Sequence, residues 1–73
     1  MNYLFRLPIE GEDSLRGTEA LVGRLCQLRR TTNLSTVTVH VYDGSMKPEN
    51  HLGTVPATQV LMAQDFDPAW LDR

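Results

Sequence analysis

The chain has 73 residues, of which 41% are hydrophobic and 22% charged, and seven basic against nine acidic side chains give a formal net charge of −2. That length fits one domain spanning 1–73, because a second core would need roughly another hundred residues. The balance excludes the low hydrophobicity and high charge of a disordered chain, and it disfavours the strongly basic footprint of a nucleic-acid binder.

Residues Asn2 to Ile9 begin the pattern. Tyr3, Phe5, Leu7 and Ile9 alternate with Asn2, Leu4, Arg6 and Pro8, the period of a half-buried strand. Pro8 cannot donate a ladder hydrogen bond and belongs at a strand end or sheet edge. Glu10, Gly11, Glu12 and Asp13 then read as an acidic turn, with Asp13 or Ser14 positioned to cap the free amides of a helix.

From Ser14 to about Arg30, Leu15, Leu21, Val22, Leu25 and Leu28 recur at amphipathic helical spacing, and Arg29 and Arg30 suit the negative end of the helix dipole. Gly17 and Gly23 weaken this helix by up to about 1 kcal/mol each if they are interior. Ser35 to Asp43 is the clearest strand. Val37, Val39 and Val41 form one face and Thr36, Thr38, His40 and Tyr42 the other.

Asp43-Gly44-Ser45 starts a turn that continues as a polar loop to Asn50, after which Leu52 to Val55 can pair back. Thr58 to Gln64 fits a strand or a helix; strand from about Thr58 to Ala63 is the expectation taken here. Asp67-Pro68 is a helix-start signature, with Ala69, Trp70 and Leu71 forming one turn. The expected fold is therefore a small α+β sandwich of order β-α-β-β. One amphipathic helix covers a three-stranded antiparallel or mixed sheet, and a short helical turn ends the chain.

No eighteen apolar residues run together, and Met1 to Ile9 lacks the charged start, long apolar middle and cleavage site of a signal peptide. A cytoplasmic protein without a membrane span is expected. The single Cys26 allows no intrachain disulfide and falls late in its helix, where the dipole raises a thiol pKa; it reads as a small hydrophobe bordering the apolar stripe rather than a nucleophile. His40 and His51 can meet across the hairpin turn. The ten residues between them match no metal-ligand spacing, and two histidines fall short of a closed zinc site. No metal or other cofactor is therefore expected. No nucleophile, base and oxyanion support occur together in a recognisable frame, and no glycine-rich phosphate loop exists, so the chain is expected not to be an enzyme.

Phe66, Trp70 and Leu71, framed by acids, form the arrangement of a short helix that enters a partner's groove, and 64–73 is a candidate docking tail. The competing reading folds these side chains over a thin core. The leading functional expectation is a non-enzymatic module that binds a protein partner and inhibits or regulates it, through Thr36, Thr38, His40, Tyr42, Phe66, Trp70 and Leu71. Phage and mobile-element inhibitors of host machinery are often this short and acidic, which is an argument by association only. The alternatives are a homo-oligomer, such as a homodimer, binding a small molecule at an interfacial aromatic site, and a nucleic-acid-binding regulator using Arg24, Arg29 and Arg30.

Overall fold

The structure, a computed structural model, describes residues 2–9 and 14–71. The acidic turn and the Asp13 cap expected from the sequence lie outside the described residues. The alternating N-terminal stretch forms β1 (Tyr3–Arg6), and Pro8 follows the strand end. A two-residue strand β2 (Leu15–Arg16) pairs back on it, with Phe5 opposite Leu15 and Leu4 opposite Arg16. The amphipathic stretch forms helix α1 (Thr18–Leu28). The β-branched run forms β3 (Thr38–Asp43), the polar loop turns the chain into β4 (His51–Pro56), and β4 passes directly into helix α2 (Ala57–Ala63). A single 3₁₀ turn, Pro68–Trp70, closes the described chain.

The four strands form one antiparallel sheet in the order β2-β1-β3-β4. Phe5, Val39, Val41 and Val55 point to one face, where they are buried with Leu21, Leu25 and Leu28 of α1 and Ala57 and Val60 of α2. The three leucines stand at i, i+4 and i+7, a single stripe of helix surface. Full burial of each stabilises the fold by roughly 1.5–3 kcal/mol. The amide of Ala57 donates to the carbonyl of Val37 (3.1 Å), which ties the start of α2 to the entry of β3.

Four expectations are corrected. The sheet has four strands, not three, because Leu15 and Arg16 belong to β2 and α1 begins only at Thr18. Gly17 marks that boundary with φ +90°, ψ 153°, a conformation open to glycine, so the helix has neither an Asp nor a Ser cap. Residues 58–63 are helix rather than strand: Ala57 and Val60 are buried and Leu61 packs against the core, the i, i+3, i+4 spacing of a helical face. Finally, Leu34–Thr36 form a 3₁₀ turn ahead of β3. The Asn33 side chain accepts from the Ser35 amide (3.2 Å) and hydroxyl (2.8 Å), and the Thr36 hydroxyl donates to the Asn33 carbonyl (2.8 Å). These local bonds compete with the ladder and delay the strand to Thr38.

Candidate functional site

Alternation along the strands sends a second set of side chains to the face opposite the helices. The register sets them in rows: Arg16, Leu4, Tyr42 and His51 in one; Arg6, His40 and Thr54 in the next; Thr38 and Pro56 in the third. None of these belongs to the main core cluster. Leu4 and Tyr42 are nonetheless only 5% and 8% exposed. They are direct neighbours across β1 and β3 with Arg16 and His51 on either flank, so a local apolar centre is walled in sideways by long and aromatic side chains.

An irregularity between Val41 and Tyr42 places His51 on this face. Val41 faces Gly53 whereas Tyr42 faces His51, so Leu52 is one residue extra in β4. A bulge of this kind re-aims side chains. Leu52 packs against the main core, and His51 comes to lie beside Tyr42 on the other side of the sheet. Gly53, buried at φ +152°, supplies the backbone conformation the bulge requires.

The three rings then cluster. His40 Nδ1 and His51 Nε2 are 3.2 Å apart, with ring centroids separated by 5.3 Å. Tyr42 meets His51 edge to face at 5.1 Å. The His40 pKa is held below its ordinary value of 6.5, first by desolvation, then by the Arg6 guanidinium paired opposite it, and third by His51. At neutral pH His40 is therefore an uncharged imidazole, able to donate from one nitrogen and accept at the other. Among the described residues, this face carries Arg6 and Arg16 and no carboxylate.

The residues singled out from sequence divide into separate places. Thr38, His40 and Tyr42 share the outer face, as the alternation requires, but Thr36 lies on its 3₁₀ turn and not on the strand. Phe66 and Leu71 are seated in the main core at 7% and 8% exposure, and Trp70 packs half-buried against it. The Phe66 ring makes edge-on contacts with Tyr3 (5.1 Å), Phe5 (5.2 Å) and Trp70 (6.3 Å). In this structure the tail closes the domain's own core. Arg24 donates to Gln27 Oε1 (3.0 Å) on α1, while Arg29 and Arg30 are exposed at the helix end, so all three lie in the helical layer rather than on the outer sheet face. Cys26 is half-buried on α1. Sequence reasoning overlooked Leu4, Arg6, Arg16 and Thr54; the alternation of β1 gave a signal for the first two.

Among the described residues no cavity is found, no three metal-ligating side chains gather, and no helix is long and apolar enough to cross a membrane. Comparison with protein-family models, with curated proteins and with solved structures finds no match to the chain.

Proposed function

We propose that the chain is a non-enzymatic interaction module that binds a protein partner through the outer face of its sheet and inhibits or regulates that partner. The observation that carries this reading is the one-sided architecture. Both helices and the C-terminal turn contribute to the core on one face, while the other presents Thr38, His40, Tyr42, Thr54, Arg6 and Arg16. Leu4 and Tyr42, nearly buried, brace this face from within, and the surface it offers a partner is the cationic and polar one of Arg6, Arg16, Thr38, His40 and Thr54, the composition of an interface rim. Two arginines without a carboxylate among the described residues of that face favour an acidic partner surface, and such complementarity acts mainly on the association rate and on specificity.

The test is affinity capture from an extract of the source organism, followed by a binding titration with the protein retained. Thr38→Glu and Thr54→Glu place bulk and a charge that an acidic partner repels on the outer face, and should weaken binding at least ten-fold, a loss of about 1.4 kcal/mol. Gln27→Glu on the helical layer should leave binding unchanged. If the helix variant disrupts the complex and the sheet variants do not, the outer face is not the contact surface.

A further inference from the structure

We infer that His40 and His51 form an open two-imidazole chelate for a divalent transition ion such as Zn²⁺, Cu²⁺ or Ni²⁺. The reading is independent of whether the same face binds a protein. It begins with the distance. Two zinc–nitrogen bonds of about 2.0–2.1 Å meeting at the tetrahedral angle hold their nitrogens about 3.3 Å apart. His40 Nδ1 and His51 Nε2 stand 3.2 Å apart before any ion is bound. The bite is supplied by the backbone: His40 is on β3, His51 opens β4, and the bulge at Leu52 moves His51 onto the face that His40 occupies.

Two neutral imidazoles brought this close have two ways to avoid lone-pair repulsion. One facing nitrogen carries a hydrogen and donates to the other, or both are bare and a cation lies between them. Passing from the first state to the second only shifts a tautomer. The facing N–H moves to the far nitrogen of the same ring. The Tyr42 ring packed against His51 limits the rotations open to that imidazole, so part of the ordering cost of chelation is met in the fold.

Imidazole nitrogen selects the borderline transition ions over Ca²⁺ and Mg²⁺, which take oxygen ligands. With two protein donors, the remaining coordination positions belong to water or to a donor on another molecule. The site is thus open and exchangeable, unlike a closed structural centre. Arg6, opposite His40 in the register, opposes a dication and weakens the site electrostatically.

The experiment titrates the full chain with Zn²⁺, and separately with Cu²⁺, by calorimetry, and follows the histidine ring protons by NMR. One ion should bind per chain and shift the ring signals of both histidines. His51→Ala, at an exposed position, and His40→Gln should each weaken binding at least ten-fold through loss of the chelate. Cys26→Ser should bind as the parent does. Arg6→Gln should tighten binding about two-fold or more, as expected for removing one charge near a dication at a solvated surface. Mg²⁺ should give no signal. The assignment is overturned if millimolar Zn²⁺ produces neither heat nor ring shifts, if binding survives His51→Ala, or if it disappears with Cys26→Ser.

Discussion

Replacing Phe66 by alanine distinguishes a tail that belongs to the core from one held out for a partner. Phe66 is 7% exposed and meets three other rings edge-on, those of Tyr3, Phe5 and Trp70. Truncating a buried phenylalanine costs about 3–5 kcal/mol in lost transfer energy and residual cavity. A 73-residue domain has about 4–11 kcal/mol of stability in total, at roughly 0.05–0.15 kcal/mol per residue. Phe66→Ala should therefore remove about a quarter or more of that stability and in the weaker case unfold the chain. In urea, with a slope of about 1 kcal/mol/M for so small a protein, the midpoint should fall by about 3 M or more. Phe66→Leu keeps aliphatic volume but loses the ring contacts, and should cost about 1–2 kcal/mol with unfolding still cooperative. If Phe66→Ala unfolds cooperatively with a loss under about 1 kcal/mol, the tail is not seated in the core and the argument fails.

Three further outcomes follow from the geometry. Because His40 is held below its ordinary value of 6.5, the unfolded state takes up a proton that folded His40 resists. Stability should therefore fall as pH drops from about 7 toward the lowered folded value and be flat above it. With a chelator present, urea unfolding of His40→Gln should show a shallower slope in this window, and an equal slope refutes the assignment. Gly53→Ala forces a side chain onto a backbone at φ +152° and should cost roughly 2 kcal/mol, a drop of about 8–16 °C in Tm. Retention of the parent Tm would show that the bulge does not need glycine. Gln64 ends α2 with φ +52°, ψ +37°, a left-handed conformation that disfavours any residue with a Cβ. Gln64→Gly should raise stability by about 0.5–1 kcal/mol after the greater freedom of glycine in the unfolded chain is set against it; a lower Tm contradicts this.

How far the sequence carried the argument depended on whether a segment's pattern had one physical cause. In β1 and β3 the alternation follows the packing of one face against the helices, and Phe5, Val39 and Val41 were legible as core, whereas the burial of Leu4 and Tyr42 on the other face was not. The return strand was less legible, because Leu52 to Val55 is short and can pair back while the longer stretch 58–63 also alternates; β4 runs over His51–Pro56. Residues 57–63 carry two patterns at once. Thr58, Val60 and Met62 alternate with their neighbours, but Ala57, Val60 and Leu61 fall on one helical face, and packing against the core selects the second. The amphipathic pattern overstates the length of α1, because Gly17 reads as a weak interior residue and is in fact the boundary. In the candidate site, Thr38, His40 and Tyr42 followed from alternation, while Thr36 did not survive the competing local bonds to Asn33. That His40 and His51 can meet across the turn was legible and the structure places them 3.2 Å apart, but the bulge that brings His51 to that face was not, since one extra residue in a strand leaves no periodic trace.

The position of the first strand in the middle of the sheet has a consequence for the order of folding. β1 lies between β2 and β3, so its long-range partner is far along the chain: Phe5 faces Val41, whereas Val41 faces Gly53 only one turn later. Closing the longer loop costs about 1 kcal/mol more in chain entropy than closing the shorter one. Pairing of β3 with β4 is thus cheaper to close than pairing of β1 with β3, and on this ground the β1–β3 ladder forms after the β3–β4 hairpin. During synthesis the amino-terminal strand, although made before β3, has no long-range sheet partner until His40 to Asp43 have emerged, and its ladder to β3 is completed only then.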